Sequence, residues 1–115
     1  MPLLKLETTA TVSEEKRKAL LASLSKAVAG TIGKPEQYVM VTISQVDMVM
    51  SGKPGDAAFV DIRSIGGLNG DVNRNLSRQV SKLLRDTLGI PADRAYLNFT
   101  DVEAGNWGWN GSTFG

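Results

Sequence analysis

The 115-residue chain contains no histidine and no cysteine, and this double absence decides which groups are left to do chemistry. A Ser-His-Asp triad, an imidazole proton shuttle, a thiol nucleophile, an iron–sulfur cluster and His- or Cys-ligated zinc are all ruled out. Acid–base work near neutral pH must fall to a shifted carboxylate, lysine or tyrosine, or to the α-amino group. Pro2 follows Met1, and removal of a Met before a small residue would leave a secondary amine at the terminus. An α-amine titrates at about 7.7–8.0 in model peptides. Apolar neighbours such as Leu3 and Leu4, with a nearby lysine, push that value down and supply a general base. Met-Pro is also simply how many chains begin.

Lys34, between Gly33 and Pro35, could grip a substrate carboxylate and depress a nearby amine; a helix C-terminus also favours a solvated lysine there. Ser64-Ile65-Gly66-Gly67 leads from a strand toward a helix N-terminus, where backbone N–H groups can hold an anion, or where a tight turn needs glycine. The run Gly66-Gly67-Leu68-Asn69-Gly70 is neither a dinucleotide fingerprint nor a P-loop. Tyr96 and Asn98 are two apart on a strand and share a face, as pocket lining or as an outer polar face. Trp107 and Trp109 share a face if extended, as an aromatic wall or a plug at a subunit interface. Asp47, Asp56, Asp61, Asp71, Asp101 and Glu103 show no spacing suited to a metal or to a paired acid–base site. The basic residues are scattered over helix surfaces.

The elements that must position these groups read as one unit said twice. Residues 2–9 form a strand, Thr11 or Ser13 caps a helix, and Leu20, Leu21, Leu24, Ala27 and Val28 make its apolar stripe. Gly33 and Pro35 end that helix before a β-branched strand, Tyr38–Val46. The second half repeats the order. Strand Ala57–Ile65 and the glycine loop lead to a helix along Val72, Leu76, Val80, Leu83, Leu84 and Leu88, then Gly89 and Pro91, then strand Ala95–Val102. Right-handed crossovers make the strands of each βαβ unit parallel and put both helices on one face of a four-stranded sheet. Apolar residues on both faces of the strands (Val39, Met40, Val41; Ala57, Ala58, Phe59, Val60) leave a second face to bury, most simply against another copy of the chain. The Gly-rich, aromatic tail from Gly105 suits a short edge strand or a cover over a neighbouring subunit.

Size and charge agree with one soluble domain spanning 1–115. The scaling of surface with mass gives roughly 6,000 Å² folded against about 18,000 Å² unfolded, enough for a thin core. Thirteen basic and twelve acidic residues leave +1, which argues against steering toward nucleic acid or an anionic membrane. No apolar run approaches a membrane span, and the start lacks the pattern of a signal peptide. The expected compartment is the cytoplasm, with non-classical secretion as the alternative.

Taken together, Pro2 behind Met1, Gly33-Lys34-Pro35-x-x-Tyr38, Ser64-Ile65-Gly66, Tyr96-x-Asn98 and Asn106-x-Gly108-Trp109-Asn110-x-Ser112-Thr113-Phe114 closely resemble the macrophage migration inhibitory factor family of the tautomerase superfamily. The similarity covers nearly the whole chain, and the C-terminal motif is its most specific part. The resemblance implies an α+β fold: two βαβ repeats in a four-stranded mixed sheet, two antiparallel helices on one face, and a homotrimer around the sheets. It implies a cofactor-independent isomerase that tautomerises phenylpyruvate-like aromatic 2-oxo acids, with D-dopachrome isomerase activity in assays. Pro2 would move the proton. Lys34 and the Ile65 N–H would hold the carboxylate, and Tyr96 and Asn98 would come from the adjacent subunit. Leu3, Trp109 and Phe114 would form apolar walls, with Trp107 at the rim in place of a small aliphatic residue. Ala57-Ala58-Phe59-Val60 stands where vertebrate members carry a Cys-x-x-Cys pair, which removes thiol–disulfide activity. Val12 and Gln45 stand where Arg and Asp mimic chemokine ligands, which argues against a receptor partner of that kind. The rival readings are a non-enzymatic, cytokine-like interaction protein with a vestigial pocket, and a small module that binds a metabolite between subunits.

Overall fold

The computed structural model describes residues 1–115. Strand β1 (Leu3–Thr8) leads to helix α1 (Glu14–Ile32) and strand β2 (Met40–Gln45). The second half follows with β3 (Ala58–Ser64), α2 (Gly70–Leu88) and β4 (Ala95–Asp101). The sheet order is β2-β1-β3-β4. Pairing is parallel within each βαβ unit and antiparallel at the central β1–β3 seam. Each helix runs back against its own parallel pair, so the antiparallel seam makes the two helices antiparallel as well. The parallel units and four strands are those the repeat predicts, and the mixed sheet with two helices is the one the resemblance implies.

Local chemistry sets the helix ends in matching fashion. Of the two cap candidates, Ser13 is the one used, its Oγ accepting from the Lys16 N–H at 3.2 Å. Asn69 caps α2 by accepting from the Val72 N–H at 2.9 Å, so the glycine loop ends one residue sooner than expected and Gly70 opens the helix. Gly33 and Gly89 close the helices at φ of 78° and 71°, a left-handed conformation that costs glycine nothing. The strand expected from Tyr38 starts only at Met40. Glu36–Tyr38 form a 3₁₀ turn instead, in which the Tyr38 and Val39 N–H groups bond back to Pro35 and Glu36.

One face of the sheet carries the core. Leu4, Leu6, Val60 and Ile62 pack beneath Leu20, Leu24 and Val28 of α1 and Leu76, Val80 and Leu84 of α2. The other face departs from expectation. Apolar neighbours in sequence alternate sides along a strand, so Val41 goes inward and Met40 outward, and Val60 inward and Phe59 outward. The open face therefore mixes Leu3, Phe59, Met40 and Tyr96 with Lys5, Glu7, Asp61, Arg63 and Asn98, rather than forming a second hydrophobic layer. No part of the chain covers it, and the accessible surface of 6634 Å² exceeds the roughly 6,100 Å² typical of this mass. The tail neither joins the sheet nor lies free. Strands β5 (Gly108–Trp109) and β6 (Ser112–Thr113) form a hairpin of their own, and the Phe114 N–H returns to the Trp107 carbonyl at 3.1 Å.

Candidate active site at the N-terminus

The start of β1, the start of β2, the end of β3 and the tail hairpin meet around a cleft of about 440 Å³. That is ample for a small aromatic ligand. Met1, Pro2 and Leu3 form its floor, and Tyr38, Val39 and Met40 its β2 side. Arg63 and Val102 approach from β3 and from beyond β4, while Trp107, Trp109 and Phe114 close it from the tail. Tyr38, Trp109 and Phe114 make a rigid aromatic corner. The Trp109 and Phe114 rings stack 5.5 Å apart at 8°, and Tyr38 meets both edge-on at 5.8 and 6.3 Å. The tail aromatics are thus a wall of the cleft, held in register by the hairpin.

Electrostatics in the cleft favour a neutral amine. The terminal ammonium of Met1 has its pKa lowered from 8.0, first by burial and second by the positive charge of Lys34. Pro2, one residue further in, is buried. Lys34 does not line the cleft itself but stands behind it. A methyl group placed on Gly66 would sit 3.9 Å from the Lys34 Nζ.

The Ser64–Gly67 turn is tied down from three directions. The Ser64 Oγ donates to the Gly66 carbonyl at 2.7 Å, the Gly66 N–H donates to Asp101 Oδ1 at 2.9 Å, and the Val102 N–H donates to the Ser64 carbonyl at 2.9 Å. Gly66 therefore spends its N–H within the chain, whereas the Ile65 N–H has no intramolecular acceptor. Gly67 is required sterically as well as conformationally: with φ at 81°, a Cβ there would lie 2.7 Å from Ile32 Cγ2.

Of the residues singled out in the sequence, Pro2, Leu3, Trp107, Trp109 and Phe114 come together in the cleft, Lys34 acts on the terminal amine from outside its lining, and Ile65 is not among the lining residues. Tyr96 and Asn98 do not reach it. They project from edge strand β4 on the open face, Tyr96 at 66% exposure. Sequence reasoning missed Arg63, Met40, Val102 and the role of Tyr38 as a wall. Arg63 is the signal that could have been caught, since it lies on the expected strand two residues before Ile65, which the structure places in the turn just after β3.

The sequence model described as macrophage migration inhibitory factor matches residues 1–115. This chain belongs to that family. A macrophage migration inhibitory factor homolog from Trichuris trichiura is 44% identical over 95 residues, 82% of this chain and 83% of that protein. The crystal structure of a homologue from Prochlorococcus marinus superposes with a TM-score of 0.93 at 40% identity, covering 98% of this chain and 99% of that one. Pt0534, solved after inactivation by 2-oxo-3-pentynoate, superposes at 0.86 with 25% identity, covering 96% and 95%. The protein is thus of the macrophage migration inhibitory factor and tautomerase type. No helix in it is long and apolar enough to cross a membrane.

Proposed function

We propose that this family member is a cofactor-independent tautomerase of aromatic 2-oxo acids, with Pro2 as the acid–base residue once Met1 is removed. The observation that carries the reading is the terminal amine at an aromatic-walled cleft, its pKa lowered from 8.0 by burial and then by Lys34. Removing Met1 moves the amine one residue inward, to the buried Pro2, where desolvation again disfavours its protonated form. Lys34 and the free Ile65 N–H hold the substrate carboxylate. Leu3, Trp107, Trp109 and Phe114 hold the ring. The Pro2 nitrogen takes the enol hydroxyl proton and returns a proton to the adjacent carbon, so no cofactor and no net proton is consumed. Pt0534 is inactivated by a 2-oxo acid, which agrees with 2-oxo acids as the substrate class.

The reading includes a homotrimer. The open face lacks a cover, and Tyr96 and Asn98 stand exposed on it at an edge strand. A neighbouring copy that brings its own Tyr96 and Asn98 to this cleft would complete the site.

The experiment is ketonisation of phenylpyruvate by the Met1-free protein and by Pro2→Ala. Loss of a positioned general base lowers kcat roughly 10²- to 10⁴-fold, and intact mass establishes that Met1 is gone. Equal rates for the two proteins would remove Pro2 as the base, and no turnover by the Met1-free protein would leave a vestigial pocket and return the protein to the interaction-protein reading. A solution mass other than three chains would remove the trimer.

A further inference from the structure

We infer that Arg63 is a second anion-recognising group of the cleft, selecting 2-oxo acids whose aromatic ring carries a second carboxylate. The inference rests on the tautomerase reading only for the first carboxylate, which goes to Lys34 and Ile65.

Arg63 sits on the open face of β3 directly opposite Leu3 and lines the same cleft as Pro2, Val102 and Trp107. Asp61, two residues earlier on the same face, fixes its orientation. Arg63 Nη2 donates to Asp61 Oδ2 at 3.0 Å and Nε to Oδ1 at 3.5 Å. The Asp61 side chain is only 18% exposed, so the anchor is firm, while the Arg63 side chain remains 52% exposed. This grip uses the Nε–Nη2 edge of the guanidinium. Nη1 and the second Nη2 hydrogen have no acceptor in the chain, and together they form the other edge of the fork.

Two parallel N–H donors at that edge match the two oxygens of a carboxylate. Because Asp61 already offsets part of the charge, a monoanionic carboxylate suits the site better than a dianionic phosphate. The aromatic corner of Tyr38, Trp109 and Phe114 belongs to the same cleft as Arg63. A ring bound against that corner would carry its second carboxylate on a substituent. The cleft volume of about 440 Å³ leaves room for that substituent beside the ring.

The test compares phenylpyruvate with its meta- and para-carboxy derivatives on the Met1-free enzyme, Arg63→Gln and Arg63→Lys. The wild type is expected to prefer at least one carboxy derivative in kcat/KM. Arg63→Gln should lower the ratio of that derivative to phenylpyruvate by about ten- to a hundredfold, the usual cost of losing hydrogen bonds to a charged group. Arg63→Lys, which keeps the charge but not the fork, should restore only part of it. Binding of isophthalate and benzoate, followed by the fluorescence of Trp107 and Trp109, gives a readout independent of turnover. Isophthalate should bind more tightly than benzoate to wild type, and the advantage should vanish in Arg63→Gln. An unchanged ratio in Arg63→Gln, or isophthalate no tighter than benzoate, would overturn the inference. No turnover of any substrate with the isophthalate preference intact would sink the tautomerase reading and leave the role of Arg63 standing.

Discussion

Arg94 is the residue whose removal should reveal most about how the β2–β3 connection is held. Its guanidinium faces no carboxylate. It donates instead to five backbone carbonyls of one turn: Met50 at 2.8 Å, Gly55 at 3.1 Å, Lys53 at 3.2 Å, Asp56 at 3.3 Å and Pro54 at 3.4 Å. Nη2 has two hydrogens for three of these acceptors, so at most four bonds form at once, and with the long 3.3 Å contact to Asp56 discounted they amount to about three effective bonds. Most of the turn is exposed, and water replaces the lost donor at several carbonyls. At roughly 0.5–1 kcal/mol for each effective bond, Arg94→Ala should cost about 2 kcal/mol. For a chain of this length that lowers Tm by roughly 8 °C.

The assay is urea unfolding at neutral pH and fixed protomer concentration, because any assembly makes the midpoint depend on concentration. Arg94→Lys keeps the charge but offers a point donor, and should recover less than half of the loss. Arg94→Met keeps the stem and should behave like Arg94→Ala. Stability of Arg94→Met close to wild type would mean that the stem packs and the fork does little. Stability of Arg94→Ala within about 0.5 kcal/mol of wild type would refute the reasoning outright. The turn lies at the end of the sheet away from Leu3, so the proposed tautomerase rate per folded protein should not change.

Other perturbations act on the site and the turns that build it. In the proposed mechanism the base works unprotonated, so kcat/KM should rise with pH and then level off. If the freed Pro2 amine is shifted as the Met1 ammonium is, in the direction of a lower pKa than 8.0, the rise comes earlier than for a free amine. Lys34→Ala removes the second of the two causes that lower this pKa and leaves burial, so the rising limb should shift part of the way to higher pH. An unmoved limb in that variant would show that Lys34 does not act on the amine. Gly67→Ala forces a Cβ to within 2.7 Å of Ile32 Cγ2 at a φ of 81°, and should cost about 1–3 kcal/mol in urea unfolding. Gly30 lies within α1 with nothing near its missing Cβ, so Gly30→Ala should instead add roughly 0.5–1 kcal/mol.

Much of this protein can be read in its residues because the signals are local. Helix caps, left-handed glycines and the apolar spacing of Leu76, Val80 and Leu84 depend on near neighbours in the chain, and the repeat of these signals implies paired βαβ units. The absence of histidine and cysteine points to the terminal amine before any fold is known. The motifs around Lys34, Ile65 and the tail resemble one family, and the matching family model agrees. Side-chain direction was harder to read. Adjacent apolar residues such as Val39, Met40 and Val41 look like a strand buried on both sides, yet the register sends Met40 to an open face shared with Lys5, Glu7 and Asp61. Tertiary structure alone decided that the Tyr38 ring meets Trp109 and Phe114, and that Gly66 spends its N–H on Asp101 while Ile65 keeps its own free. It also placed Arg63 opposite Leu3, in the cleft with Pro2. The physical reason is common to all three: each joins residues distant in sequence, and only strand pairing and the tail hairpin fix which of them meet.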